Sequence, residues 1–138
     1  MLSIILVKPL ISTALAASFF VVPQLPAPSI IATCDIDSKS KECVIELIKK
    51  YATLYDVSEK IALNVADCES DFRVDVYGDG GRAYGPYQFH KKTFELFSKK
   101  FGEELDYFDL EDNVRLAIWA LSKNKGYHWS CYKKISIR

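Results

Sequence analysis

One acidic residue stands out because of its position on a predicted helix. Glu69 follows Val65 at i−4 and Ile61 at i−8, so it continues the apolar face of that helix. A carboxyl group on the buried side of a helix is desolvated, and desolvation raises its pKa toward the range useful to a general acid. The pattern therefore predicts that Glu69 is a catalytic acid. A structural glutamate that accepts hydrogen bonds from the next loop fits the same pattern.

Helical and hairpin patterns surround this residue. Asp56 or Ser58 is expected to cap the helix of Glu69, and Gly102 is expected to end a later one. The predicted elements are helices over 41–55, 91–101 and about 109–123, strands over 74–77 and 83–89 around the turn Gly78–Gly81, and a loop over 127–132. The sequence thus predicts an α+β, predominantly helical fold with a small antiparallel hairpin beside the helix of Glu69.

The first 33 residues differ in composition from the rest of the chain. Lys8 is their single charged residue, although the whole chain holds 18 Lys and Arg and 18 Asp and Glu. An apolar run over 9–22 and a Pro-rich stretch over 23–28 predict an export signal followed by a linker, with Ala14-Leu15-Ala16 as one cleavage candidate. A retained N-terminal membrane anchor is the alternative. Residues 34–138 form the predicted domain.

Four cysteines in an exported domain predict two disulfides, and three pairings are open. Cys34 and Cys43 are close in sequence, whereas Cys68 and Cys131 are far apart. We favour Cys34–Cys43 and Cys68–Cys131. The second pair would close a loop of about 60 residues, which corresponds to about 4 kcal/mol of chain entropy in the unfolded state.

Several classes of site are not indicated. Gly78-Asp79-Gly80-Gly81 lacks a phosphate-binding pattern and is expected to be a turn, so we predict no nucleotide. His90 and His128 are far apart in sequence and have no ligand-like neighbours, so we predict no metal and no cofactor. The near-neutral charge of residues 34–138 does not suggest a nucleic-acid partner. We expect a monomer.

Aromatic side chains flank Glu69 in sequence and suggest a carbohydrate-binding groove. Flat rings stack against sugar faces, and phenolic hydroxyl groups bond sugar hydroxyl groups. The candidates for such a groove are Tyr77, Tyr84, Tyr87, Tyr127, Trp129 and Tyr132. Together with Glu69, they point to chemistry on glycans outside the cytoplasm.

Several spaced motifs resemble the lytic transglycosylase family, which is similar to goose-type lysozyme. They are Ala66-x-x-Glu69-Ser70-x-Phe72, then Gly85-Pro86-Tyr87-Gln88-Phe89, then Asn113 at the start of a helix. The triplet Cys68-Glu69-Ser70, the spacing from Tyr84 to Thr93-Phe94, and Gly126-Tyr127-x-Trp129-x-Cys131 look like the catalytic domain of resuscitation-promoting factors. The resemblance covers about residues 55–132.

This resemblance implies a lysozyme-like fold and cleavage of the MurNAc-β-1,4-GlcNAc bond of peptidoglycan. By position, Glu69 is the general acid. The substrate-binding candidates are Gln88, Tyr87, Gly85, Tyr84, Tyr127 and Trp129, and Gly85 would let the backbone pass close to the sugar. The resemblance also implies the Cys68–Cys131 pairing. It implies an exported protein of the periplasm, cell wall or cell exterior.

Three departures from the family pattern concern the substrate subsites. Pro86-Tyr87 replaces a small or aliphatic pair, Asp71 stands where glycine is usual, and the spacing from Trp129 to Cys131 is shorter by one residue.

The mechanism depends on whether a second carboxylate acts with Glu69, since retaining glycosidases place one about 5 Å from the acid. Asp75 and Asp79 are the candidates, although both also suit turns. We favour the route implied by the resemblance, with a single glutamate and a 1,6-anhydro product. The alternatives are hydrolysis of the same bond, a glycan-binding module without turnover, and a structural protein of the cell surface.

Overall fold

The structure is a computed structural model that describes residues 39–136. In this range the chain forms five helices and three short strands, which confirms the predicted α+β, predominantly helical fold. The elements in order are α1 Lys41–Leu54, α2 Glu59–Ser70, β1 Tyr77–Gly78, β2 Ala83–Tyr84, β3 Phe89–His90, α3 Lys91–Phe101, α4 Leu110–Ser122 and α5 Ser130–Ser136. The predicted export signal or anchor, the linker and Cys34 lie outside the described residues. None of the helices within 39–136 is long and apolar enough to cross a membrane.

Helices α1 and α4 pack together and form the centre of the core. Val44 and Ile48 of α1 and Val114 and Ile118 of α4 are 0% exposed, as their helical spacing predicts. Burial of side chains of this size contributes about 1.5–3 kcal/mol each. Asp109 caps α4 by accepting a hydrogen bond from the N–H of Asp112 at 2.9 Å. This pair provides a rigid base against which α2 and α3 pack.

Helix α2 begins and ends at residues with identifiable roles. The Ser58 hydroxyl accepts a hydrogen bond from the N–H of Ile61 at 3.4 Å, so Ser58 is the N-cap. At the other end, Asp71 and Phe72 have φ of 54° and 59°, in the left-handed region. This backbone stops the helix two residues after Glu69. It also explains why glycine suits position 71, since aspartate tolerates that conformation better than most residues.

The sheet is smaller and more divided than the sequence predicts. Instead of one hairpin with strands over 74–77 and 83–89, three strands of two residues each pair in the order β1-β2-β3, all antiparallel. A 3-10 turn at Asp79–Gly81 joins the first two strands, as the glycines predict. A second turn, Gly85 to Gln88, separates β2 from β3. This second turn belongs to the candidate site.

The C-terminal region is also different from the prediction. Residues 127–132, expected as a loop, contain the end of a 3-10 turn at Gly126–His128 and the start of α5. Helix α5 packs against α2, and a disulfide joins Cys131 to Cys68. Seven residues are too few for a stable isolated helix, so these tertiary contacts stabilise α5. The Cys68–Cys131 prediction is confirmed.

Candidate active site

Glu69 lies between the end of α2 and the start of α5 and is half-buried. Its Oε1 accepts a hydrogen bond from the backbone N–H of Cys131 at 3.2 Å. Desolvation raises the pKa of Glu69 above the usual 4.5, while the Cys131 N–H and the charge of Lys134 partly oppose that rise. The net shift favours the protonated carboxyl group that a general acid needs.

Ser70, the residue after Glu69, connects α2 to the turn between β2 and β3. Its buried hydroxyl lies 2.8 Å from the carbonyl oxygen of Pro86 and 3.3 Å from that of Ala66. The shorter contact is the better hydrogen bond. Helix α2 and the turn Gly85 to Gln88 are therefore fixed to each other at the residue next to the acid.

Gln88 closes this turn with its own side chain. Its Nε2 donates to the carbonyl oxygens of Gly85 at 2.8 Å and Val76 at 3.1 Å. Both amide protons are used, so Oε1 is the atom of this side chain that can interact with a ligand, as an acceptor. Oε1 lies over Gly78, where an added Cβ would come within 2.0 Å of it.

Trp129 connects the same turn to the C-terminal region. Its indole Nε1 donates to the carbonyl oxygen of Tyr87 at 2.7 Å, and the residue is 4% exposed. Two residues later, Cys131 bonds Glu69 through its N–H and pairs with Cys68 through its disulfide. The end of α2, the turn and the start of α5 are thus joined in a closed set of contacts around Glu69.

Three aromatic residues predicted to bind substrate belong to the hydrophobic core. Tyr87 is 0% exposed and donates its hydroxyl proton to the carbonyl oxygen of Ala62 at 3.0 Å. Trp129 packs edge-on against Tyr87 and Phe89. Tyr84 is 6% exposed, and its hydroxyl donates to Asp75 at 2.7 Å. Tyr84 and Tyr87 are thus buried, while Trp129 both packs in the core and lines the cavity that contains Gln88, so contact of these residues with the substrate stays a prediction.

Gly85 has a different reason to be glycine from the one the sequence suggests. Its φ is 80°, and an added Cβ would come within 2.9 Å of the Asn113 side chain. Asn113 on α4 is 1% exposed, and within residues 39–136 neither its Oδ1 nor its Nδ2 has a hydrogen-bond partner. Asn113 therefore fills the space that a side chain at position 85 would need, and close passage of the Gly85 backbone by a sugar stays a prediction.

Two predicted residues have exposed or half-exposed surface that a ligand can reach. Tyr127 is 52% exposed. Half-buried Gln88 lines a cavity of about 150 Å³ together with His90, Thr93, His128 and Trp129. Both histidines of the chain therefore lie at one cavity, although they are far apart in sequence.

Asp75 and Asp79, the candidates for a second carboxylate, are each paired with side chains other than Glu69. Asp75 pairs with Lys39 at 2.6 Å and accepts a hydrogen bond from Tyr84, and these partners lower its pKa, Lys39 most. Asp79 pairs with Arg82 at 2.7 Å and lies 3.1 Å from His90. Among the described residues, Lys134 is the charged side chain that shifts the pKa of Glu69, and no carboxylate contributes.

Two features of the site were not predicted from the sequence. The backbone N–H of Cys131 and the side chain of Lys134 act on Glu69, and both belong to α5, whose first three residues fall in the predicted loop 127–132. Tyr132 and Ile135 are three residues apart with two lysines between them, and this weak helical pattern could have indicated the helix. Within 39–136, no three metal-ligating side chains lie together.

Comparison with known proteins gives one family. The sequence model described as "Transglycosylase SLT domain" matches residues 46–132, which include Glu69, the turn 85–88, Asn113 and Cys131. No curated protein and no solved structure gave a match. The match does not separate the resuscitation-promoting factor type from the rest of the family, so that refinement stays a prediction. More than half of the chain is matched and the fold is consistent with it, so the chain belongs to the family of peptidoglycan lytic transglycosylases defined by the SLT domain.

Proposed function

We propose that the protein cleaves the MurNAc-β-1,4-GlcNAc bond of peptidoglycan with Glu69 as its single catalytic carboxyl group and forms 1,6-anhydro products. We also propose that it does so after export, as a monomer. The observation that carries the proposal is the half-buried Glu69, with its raised pKa, at the point where α2, the turn 85–88 and α5 are joined. The family assignment supplies the class of substrate.

The hydrogen bond to Glu69 indicates which of its oxygens holds the proton. Oε1 accepts the N–H of Cys131, and an N–H bonds a carboxyl oxygen better when that oxygen carries no proton. The proton therefore belongs on Oε2, which donates it to the glycosidic oxygen. The bond between C1 of MurNAc and the leaving oxygen then breaks, with the substrate's N-acetyl group assisting.

The second half of the reaction uses the same residue as a base. The carboxylate of Glu69 takes the proton from the 6-hydroxyl of MurNAc, whose oxygen bonds to C1 and closes the anhydro ring. Glu69 is then protonated again, and no water is consumed. A single carboxyl group suffices for this cycle, which agrees with the ion pairs that hold Asp75 and Asp79 elsewhere.

Gln88 is proposed to accept a hydrogen bond from the substrate. Its amide protons are bonded to backbone carbonyls, so Oε1 would receive a hydroxyl or amide proton of the sugar. Gln88 belongs to the turn that Ser70 fixes to α2, so the position of this acceptor is fixed relative to Glu69. Tyr127 is exposed and directly precedes His128, which lines the same cavity. Its ring would stack on a sugar face.

The test is release of soluble fragments from purified peptidoglycan by the full chain and three isosteric variants. Glu69→Gln is expected to lower the rate by about 10³-fold, the typical contribution of a general acid, with an unchanged circular dichroism spectrum. Asp75→Asn and Asp79→Asn are the matched controls and should keep most of the activity. A folded Asp75→Asn or Asp79→Asn variant without activity would contradict the single-acid mechanism and favour hydrolysis with two carboxylates.

A further inference from the structure

A second cavity, of about 470 Å³, is lined in part by residues of β1 and β3. Its wall combines aromatic and cationic side chains from β1, the 3-10 turn region, the start of α3 and the loop before α4. We call it the aromatic-cationic pocket and define it by Tyr77, Tyr107, Phe108, Arg82, Lys91 and Lys92. None of these residues belongs to the site around Glu69 described above.

The aromatic part exposes two rings on a buried base. Tyr77 and Phe108 are 59% and 53% exposed, and both rings lie about 5 Å from the ring of the buried Tyr84, at 5.0 and 5.1 Å between centroids. Tyr107 contacts Tyr84 and Phe108 from the side. Exposed rings held in place by such packing form a ready surface for a ligand, because little side-chain entropy is lost on binding.

The cationic part carries charge that the protein itself does not neutralise. Arg82 pairs with Asp79, which also lies 3.1 Å from Nε2 of His90, so the charge of Arg82 is partly compensated. Lys91 and Lys92 are exposed, and within residues 39–136 neither forms an ion pair. The pocket therefore combines a flat apolar surface with two available positive charges, which complements a ligand that carries carboxylates.

The pocket adjoins the cavity that contains Gln88. His90 lines both, and Lys91 follows it directly in the chain. A substituent attached to a sugar at Gln88 can therefore extend past His90 to Lys91 and Lys92. In peptidoglycan, the chain attached to MurNAc is a short peptide with several carboxylates.

We propose that the aromatic-cationic pocket binds the carboxylate-bearing stem peptide of the peptidoglycan strand whose glycan is bound at Glu69 and Gln88. This proposal rests on the proposed function for the identity of the ligand. Lys91 and Lys92 pair with the peptide carboxylates, while Tyr77 and Phe108 contact its backbone and side chains. The protein then selects strands that keep their peptides over bare glycan.

The test measures binding rather than turnover, with the full chain carrying Glu69→Gln. The probes are a soluble GlcNAc-MurNAc muropeptide and the same disaccharide without its peptide, and affinity is measured by calorimetry. In that background, Lys91→Gln/Lys92→Gln should weaken binding of the muropeptide about tenfold, the loss expected for two exposed ion pairs, and leave the bare disaccharide unchanged. The control is Lys99→Gln/Lys100→Gln, which removes the same charge from α3 outside the pocket and should weaken muropeptide binding about twofold at most.

Two outcomes would overturn the proposal. One is equal binding of the two probes by the parent chain, and the other is equal weakening by both lysine pairs, which would indicate a general charge effect. Cleavage by the wild-type chain separates this proposal from the proposed function. Lysine-dependent binding of the muropeptide without any cleavage would contradict the proposed function and support the pocket. Cleavage without lysine dependence would support the proposed function and contradict the pocket.

Discussion

The α1–α4 pair packs through fully buried apolar side chains, and Lys50, Tyr51 and Tyr55 add polar contacts to Glu111 and Arg115. The region around Glu69 is joined instead by a few specific polar contacts and a disulfide. In the first region, several side chains from each helix are fully buried. In the second, the hydroxyl of Ser70, the indole N–H of Trp129 and the N–H of Cys131 each make one specific bond. The core thus provides stability that is spread over many contacts, and the site depends on a few positions.

The backbone shows the same contrast. In the described residues of α1 and α4 the dihedral angles are helical throughout, whereas Asp71, Phe72 and Gln88 near Glu69 have φ of 54°, 59° and 48°. A phenylalanine in that conformation costs free energy, which the burial of its ring and the Lys41 ammonium at 4.7 Å from it offset. Asp56 and Asn124, just after α1 and α4, also have positive φ, of 53° and 58°, but aspartate and asparagine tolerate that conformation better than a bulky residue does. The aromatic residue held there, Phe72, lies beside the acid.

The largest predicted effect comes from breaking the disulfide at the site. Cys68→Ser/Cys131→Ser should lower the free energy of unfolding by about 4 kcal/mol, because the bridge closes a long loop in the unfolded chain. Activity should fall further than the folded fraction does, since α5 also holds the N–H that bonds Glu69. Denaturant unfolding and activity at a temperature where the variant is folded measure the two effects. Activity that simply tracks the folded fraction would contradict this role of α5.

A substitution in each region compares them directly. Ser70→Ala leaves the buried carbonyl of Pro86 without its donor and should cost about 1–3 kcal/mol. Ile118→Val, in the core of α4, should cost about 0.5–1.5 kcal/mol. We expect kcat to fall in Ser70→Ala and to stay unchanged in Ile118→Val, as measured by fragment release below the unfolding temperature of both. Equal kcat values would show that the turn 85–88 does not need its link to α2.

The smallest predicted effect is a shift in the pH profile. Lys134 lowers the pKa of Glu69, so Lys134→Gln should raise it and move the alkaline limb of kcat to higher pH, since Glu69 acts in its protonated form. Lys133→Gln is the control, because Lys133 lies near His128 instead. A shift in the control equal to that in Lys134→Gln would point to overall charge rather than to contact with Glu69.

The same raised pKa has a consequence for stability. The folded state holds the proton of Glu69 more tightly than the unfolded state, whose pKa is near 4.5. The stabilising contribution of Glu69 is therefore full below pH 4.5 and is lost as the pH rises through the folded-state pKa. Glu69→Gln removes this dependence.

The contrast between the two regions also explains what the sequence could predict. Helices α1, α3 and α4 have long apolar periodicities and recognisable ends, such as Gly102 with φ of 91°, and their prediction is confirmed. Helix α5 has seven residues and depends on its contact with α2, so local pattern was insufficient. The strands have two residues each, too few for alternation to indicate which aromatic side chains face inward. The burial of Tyr84 could not be predicted for that reason. Tyr87 lies in the turn 85–88 and Trp129 directly before α5, where no periodic pattern applies.

The placement of Glu69 at the end of α2 followed from its spacing from Val65, and its half-buried position agrees with that pattern. The polar links could not be predicted from the sequence, because a hydrogen bond between Ser70 and Pro86 or between Cys131 and Glu69 depends on tertiary geometry. Asn113 was visible as part of a motif, but its contact with Gly85 required the packing of α4 against the turn.

The central claim is that Glu69 acts alone and closes an anhydro ring. The most direct test is mass spectrometry of the soluble products released from purified peptidoglycan by the full chain, with Glu69→Gln in parallel. The single-acid mechanism predicts muropeptides lighter by one water than the corresponding reducing muropeptides, present with the wild-type chain and absent with the variant. Products with reducing ends would contradict it, since they require water as the nucleophile and a second group to activate that water.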